Sequence, residues 1–388
     1  MNDEPSFGLD INIFLTVIET GAAEHRVALA VQLASFLAGE ATPDGERSQV
    51  VPIVLKLAVD PVSDVRKTLA EALSPVRNLN ADVVFSIISD EDEIALPFLA
   101  ATPSLNHWHM LAVLRVGDVA RQCSVALRSD LSAEARAFIL KSAGIEVVLA
   151  LFDNPSVRFN TEEYHALYGR FGQTGDIVER LLTCADLPLD IRILQAKRAS
   201  NRMHQLLAER GWVPANDAAE LVADAEETAM LRILVEANEV EIASVVPFLV
   251  TKAMLTPSIV VRAACLGEMH VVEWALAHLA GLPVAKARDA MQGRGLMRFR
   301  ALYGKSGLPS ACFGILQAAA DVANDEREEG IALDSEGFGR RLIEALMTRY
   351  ESMELRERSK HLEIVGRLAE DRVRLIARRL KADLVRAA

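Results

Sequence analysis

The residues that could do chemistry in this sequence are few, and their spacing argues against an active site. A Gly-Lys-Ser sequence at 304–306 matches the end of a phosphate-binding loop, but that loop also needs a glycine at position 299, where Phe299 stands. The carboxylate pair Glu162-Glu163 could do acid–base work only if one member were desolvated. It lies in a polar run where a helix is expected to begin, which favours a solvated cap. We therefore predict a protein that is not an enzyme.

The most unusual local cluster is His107-Trp108-His109. Two histidines two residues apart cannot share one face of a helix, although in an extended loop they could share a metal ion. No nearby Cys, Asp or Glu completes a ligand set, so we expect no metal and no cofactor here. The segment is predicted to be a loop whose Trp108 packs between repeats. A contact surface anchored by Trp108 is the alternative.

Composition limits the class of protein. The chain of 388 residues has a net charge of −12, and such a surface repels phosphate backbones, so nucleic-acid binding is not expected of most of it. The four cysteines form no CxxC pair, which is typical of reduced thiols in the cytosol. The first residues lack a basic segment, and no uncharged apolar run is long enough to span a membrane. We expect a cytoplasmic protein with no membrane span.

The positioning elements are predicted to be repeats of two helices. Phe14–Leu37 aligns with Val54–Arg77 at an offset of 40 residues, which places Leu29 on Leu69 and, further on, Leu33 on Leu73. A period near 40 residues is that of two-helix solenoid units. No alternating strand pattern longer than four residues occurs. The sequence therefore predicts an all-α fold, an α-solenoid of HEAT-like helical repeats over residues 1–323.

The second repeat contains a candidate structural pair, Asp60 and Arg66. Asp60 precedes Pro61 at a helix break, and Arg66 follows Val65, the first apolar position of the next helix. In HEAT-like repeats an Asp and an Arg at such positions often bond across neighbouring turns. We interpret Asp60 and Arg66 as a structural ladder.

The C-terminal part differs in charge from the rest. Residues 324–337 are acidic and contain two glycines, which predicts a linker, and 338–388 are predicted to form a C-terminal helical extension, a hairpin with a basic tail. An apolar stripe from Leu362 to Leu384 needs a partner, either as an internal cap or in a homodimer. The tail offers four cations as candidate interaction residues: Arg374, Arg378, Arg379 and Lys381.

Several segments are similar to a family of bacterial proteins. DEDEIALPFLAATPSL, VVRAACLGEMHVVEWALAHLAGLP, RALYGKSGLP and RRLIEALMTRYESM resemble the helical family known as domain of unknown function 2336. The resemblance spans most of the chain. It implies helical repeats and no settled activity, and it supplies no catalytic residue.

These patterns favour a non-catalytic protein-interaction scaffold or adaptor, because solenoids expose long faces that bind peptides, helices or domains. A protein partner is expected. Two alternatives stay open. One is a regulatory module that senses a ligand in a pocket between repeats. The other is nucleic-acid binding, which would need Lys and Arg converging on one face with an aromatic residue and a carboxylate.

Overall fold

The computed structural model describes residues 11–39, 42–210, 214–293, 296–330 and 335–350. Within these ranges the chain forms 21 α-helices and one short 3-10 turn, and no strand. The predicted all-α class is confirmed for this part of the chain. None of the helices in these ranges is both long and apolar enough to cross a lipid bilayer.

The helices group into two compact units, divided between Ala185 and Asp186. Unit 1 contains twelve of the described helices. They are α1 Ile11–Thr20, α2 Ala23–Ala38, α3 Asp44–Ala58, α4 Ser63–Leu73, α5 Ala81–Ile88, α6 Asp92–Ala101, α7 His107–Val116, α8 Val119–Ala126, α9 Ala133–Ser142, α10 Ile145–Asp153, α11 Thr161–Phe171 and α12 Gly175–Thr183.

The helices of unit 1 begin where a polar side chain can accept a backbone hydrogen bond. Asn80, Asp118 and Ser132 each accept from an amide of the first turn that follows. These bonds satisfy N–H groups that have no partner inside the helix. Apolar residues spaced three or four apart, such as Val65 and Leu69 in α4, then bury one face.

Packing in unit 1 follows a regular order, in which a helix contacts the helix two places along the chain. Because each buried face is shared with near neighbours in sequence, the core continues from one helix pair to the next. These contacts join α2 to α4, α4 to α6, α6 to α8, α8 to α10 and α10 to α12, and also α1 to α3, α3 to α5, α7 to α9 and α9 to α11.

Unit 2 is built differently at its start, with two long helices that form a hairpin. Its core surrounds α17, whose Val271, Val272 and Leu276 are fully buried. The helices of unit 2 are α13 Leu189–Arg210, α14 Ala215–Val235, α15 Glu239–Thr251, α16 Pro257–Cys265, α17 Met269–Leu279, α18 Val284–Gln292, α19 Leu296–Ser306, α20 Phe313–Glu329 and α21 Ser335–Tyr350. The 3-10 turn is Ser310–Cys312.

The C-terminal part of the described chain belongs to this core. Phe338, Leu342 and Leu346 of α21 are buried within it, and α21 packs on α16 and α20. The linker predicted at 324–337 begins inside α20, because that helix continues to Glu329 and ends at Gly330 in the left-handed conformation. The first half of that segment is therefore helix, which corrects the prediction.

Candidate interaction surface

The segment His107-Trp108-His109 is the first turn of α7, so its prediction as a loop was wrong. The Asn106 side chain accepts from the His109 amide at 3.0 Å, and His109 Nδ1 accepts from the Asn106 amide at 3.3 Å. This reciprocal pair is a capping box, which satisfies two amides at the helix start. His109 is buried, and its ring meets Phe85 edge to face at 5.0 Å between centroids.

Anchoring His109 inward places Trp108 outward, because adjacent helical residues lie about 100° apart around the axis. Trp108 is 67% exposed, so it does not pack between repeats as predicted. Its ring centroid lies 4.6 Å from that of His107, which is also exposed. Met110 and Val113 are buried on the opposite side of α7. A large aromatic side chain therefore stands on the surface of a fixed helix.

The exposed apolar surface continues at the other end of α7. Val116, its last residue, is 86% exposed, and Val119 at the start of α8 is about half exposed. Trp108 and Val116 are eight residues apart, so the helical period places them on the same side of α7. We name Trp108, Val116 and Val119 the α7 surface. Exposed apolar side chains grouped in this way are typical of interaction sites.

Hydrogen bonds hold the turn between α7 and α8 in one conformation. Gln122 Nε2 donates to the carbonyls of Leu114 and Gly117 at 3.0 and 3.1 Å. Asp118 caps α8 by accepting from the Arg121 amide at 2.9 Å. Arg121 Nε in turn donates to the Ile88 carbonyl at 3.0 Å, which ties α8 to the end of α5. The α7 surface is therefore presented on a preorganised frame.

The candidate ladder residues Asp60 and Arg66 contact each other, although not through both side chains. Arg66 Nη1 donates to the Asp60 carbonyl at 2.8 Å, while its Nε and Nη2 donate to the Asp90 carboxylate at 2.8 and 3.0 Å. The Asp60 carboxylate instead accepts from Arg26 at 2.6 and 3.1 Å. Each arginine thus joins the turn before its own helix to the carboxylate at the next even-numbered helix.

This geometry changes the titration of Asp90. Burial would raise the pKa of its carboxyl, but hydrogen bonds from Arg66 and from the Glu91 amide, with the charges of Arg66 and Arg121, hold the pKa below its usual value. Asp90 is therefore charged over the physiological pH range, as a structural ion pair requires.

Unit 2 contains an ion cluster for which the sequence analysis found no signal. Glu273 of α17 is buried and accepts from Arg288 Nε at 2.8 Å, and Arg288 Nη2 donates to Glu239 at 2.7 Å. The hydrogen bond from Arg288 lowers the pKa of Glu239. Glu273 is flanked by apolar residues in sequence, and its partners come from other helices, so only the fold brings the cluster together.

The remaining predicted interaction residues cannot be placed beside these. Arg374, Arg378, Arg379, Lys381 and the stripe from Leu362 to Leu384 lie outside the described residues. Inside the described ranges, no three His, Cys, Asp or Glu side chains come together as a group that could hold a metal ion.

Comparison with known proteins places the chain in a family. None of the curated proteins compared with the chain matches it. The sequence model of a family described as an uncharacterised protein conserved in bacteria, DUF2336, matches residues 94–356, which is more than half of the chain. The matched range includes the α7 surface and most of unit 2. The chain therefore belongs to the DUF2336 family.

Proposed function

We propose that the protein is a non-catalytic interaction scaffold, an α-solenoid of HEAT-like repeats whose α7 surface binds an amphipathic helix of another protein. The observation that carries the proposal is the exposure of Trp108 on a helix whose start is fixed by a capping box. Tryptophan is prominent among residues that dominate binding energy at interfaces, and a preorganised site loses little entropy on binding. The packing of each unit 1 helix on the helix two places along supports the solenoid.

The roles of the buried arginines favour a protein partner over a nucleic acid. Arg26 and Arg66 bind carboxylates of unit 1, and Arg128 binds the Thr102 carbonyl at 2.7 Å. Cations held in this way do not reach phosphates, and the net charge of −12 opposes a polyanion. An amphipathic helix suits the α7 surface because it can cover Trp108 and Val116 with a single apolar face.

The test begins with identification of a partner and ends with measured affinity. Wild-type protein and the Trp108→Ala/Val116→Ser variant are used as bait in a bacterial lysate, and captured proteins are quantified by mass spectrometry. A captured protein is then purified and titrated. Loss of a central tryptophan should weaken its Kd at least tenfold, since such residues contribute about 2 kcal/mol or more. A synthetic peptide of its binding segment should gain helical circular dichroism on binding.

Val59→Ser is the matched control, because Val59 is an exposed valine in the turn that follows α3. It should leave the affinity of the partner unchanged. All variants should melt at the wild-type temperature, which separates lost binding from lost folding. If the double variant binds every captured protein as tightly as the wild type does, the α7 surface is not the docking site.

A further inference from the structure

The hairpin formed by α13 and α14 extends beyond the core of unit 2. Near its base, Ile193 of α13 and Leu234 of α14 are fully buried, and these parts of the helices pack on α15 and α16. From residue 198 to the end of α13 at Arg210, the chain has no buried residue. In α14, Ala218 and Val222 are the buried residues before Met230 among those whose side chains the structure describes. The outer half of the hairpin therefore buries little more than the line where its helices meet.

Three large apolar side chains are exposed on this outer half. Met203 and Leu206 of α13 are 53% and 44% exposed, and Leu221 of α14 is 57% exposed. The helical period places Met203 and Leu206 about a quarter turn from the side of α13 that faces α14. It places Leu221 about a quarter turn from the line of Ala218 and Val222, in the same sense. Because the two helices are antiparallel, both displacements open onto one broad face of the hairpin.

The register of the hairpin brings these apolar residues to one level. Met203 lies seven residues before the end of α13 at Arg210, and Leu221 lies six residues after the start of α14 at Ala215. In an antiparallel pair joined by a short connection, residues equally far from the connection are neighbours. Met203 and Leu221 therefore stand side by side, with Leu206 about one turn nearer the tip.

The two helices carry opposite charge. α13 has five Lys or Arg and two acids, whereas α14 has five acids and one Arg. On the outer half, Arg202 of α13 and Glu220 of α14 are both exposed. They lie beside the apolar face on its two outer edges, by the helical period, and at nearly the same level. One face thus combines an apolar centre with a basic edge and an acidic edge.

We infer that this face binds a second copy of the chain, so that two hairpins form an antiparallel four-helix bundle. A two-fold axis parallel to the helices places α13 of one copy on α14 of the other, with Met203 against Leu221 and Arg202 against Glu220 in both directions. A two-fold axis across the helices would instead place α13 on α13 and bring its cations together. Charge complementarity therefore selects the first arrangement, and opposite charges beside an apolar seam set pairing as they do in coiled coils. This inference does not depend on the proposed function, because it concerns a different unit and a different face.

The first experiment measures the mass of the full-length chain by light scattering or sedimentation. The wild type should be a dimer, of twice the chain mass of 42.4 kDa. Met203→Ser/Leu221→Ser should weaken the dimer at least tenfold while leaving helical content and melting of the monomer unchanged. Met297→Ser is the control, because Met297 is an exposed methionine of α19 outside the hairpin.

The second experiment uses charge reversal, which tests the arrangement of the copies. Arg202→Glu alone places two acidic pairs in the homodimer, and Glu220→Arg alone places two basic pairs there, so each variant should dimerise at least tenfold more weakly. A mixture of the two variants should form a heterodimer with both pairs restored, and the double variant should dimerise like the wild type. A monomeric wild type, a dimer unaffected by the Met203/Leu221 change, or reversals that the mixture does not rescue would each overturn the inference.

Discussion

Arg66 on α4 donates through two nitrogens to the two oxygens of Asp90, which lies just before α6. Both side chains are largely shielded from solvent, and Arg66 also holds the carbonyl of Asp60. A paired guanidinium and carboxylate of this geometry gains strength from two parallel hydrogen bonds. The relationship links two successive even-numbered helices of unit 1, and its removal should be felt in the stability of that unit.

Replacing Arg66 by Ala should lower the free energy of unfolding by about 1 to 3 kcal/mol, because Asp90 and the Asp60 carbonyl then lose charged hydrogen bonds. Urea denaturation followed by circular dichroism measures the change. Lys67→Ala is the matched control, since Lys67 is the exposed neighbour, and it should shift stability by less than about 0.5 kcal/mol. Equal effects of the two substitutions would contradict the structural role of Arg66.

The lowered pKa of Asp90 makes this stabilisation dependent on pH. In the unfolded chain the carboxyl binds a proton at higher pH than in the folded chain, so between the two pKa values the unfolded state holds more protons. The contribution is complete above the unfolded pKa of about 3.9 and is lost as pH falls through the folded value. The stability gap between wild type and Asp90→Asn should therefore narrow below about pH 4. Asp64→Asn, at an exposed acid, should show a gap that stays small throughout.

His109 should give the opposite kind of signal, near neutral pH. Burial lowers the pKa of this histidine, against a backbone hydrogen bond to Ser104 that raises it, and Nδ1 accepts from the Asn106 amide as a neutral ring must. The unfolded chain takes up the proton at about pH 6.5, so stability is lost as pH falls through that value. Denaturation midpoints measured from pH 8 to about 5.5 should fall in the wild type and fall less in His109→Gln. His107→Gln, at the exposed neighbour, should keep the wild-type slope.

Gly267 provides a test of how α21 packs on unit 2. Its φ is +83°, and a Cβ there would lie 3.0 Å from the ring of the buried Phe338. Gly281 has φ +65°, and a Cβ there would meet no atom within 4 Å. Gly281→Ala should cost about 1 to 2 kcal/mol from backbone strain alone. Gly267→Ala should cost clearly more, because the ring must also move, and calorimetry of both variants gives the difference. Equal costs would mean that Phe338 moves without penalty.

The spacing of apolar residues predicted the helices well, but it could not assign the partners of the arginines. Arg26 and Arg66 follow the same pattern in sequence, yet their carboxylates lie 34 and 24 residues further along. No constant spacing marks the acceptor, because the length of each helix pair differs. Partner choice is decided by which turn lies beside the arginine after the helices have packed, and that is a tertiary property.

Two local features were missed for identifiable physical reasons. The start of α7 was taken for a loop because a capping box usually has Glu or Gln at its third position, and here His109 takes that role. The acidic segment at 324 was taken for a linker on composition alone. It continues α20 because Asn324 donates to the Met291 carbonyl at 2.9 Å and Glu329 binds Arg341 of α21 at 2.7 Å. Charged runs at a helix end and in a linker have the same composition, and only such contacts distinguish them.

The forward direction of the arginine bonds has a consequence for how this chain can change during evolution. Arg26 and Arg66 each stand in one helix pair and bind the carboxylate at the next, so a segment from one such carboxylate to the next carries one donor and one acceptor. Duplication of that segment would give the preceding arginine a new acceptor and the following carboxylate a new donor. Excision of a whole segment would rejoin the same two groups. Unit 1 can therefore lengthen or shorten by complete helix pairs without leaving a buried charge unmatched, whereas a cut within a pair would strand one.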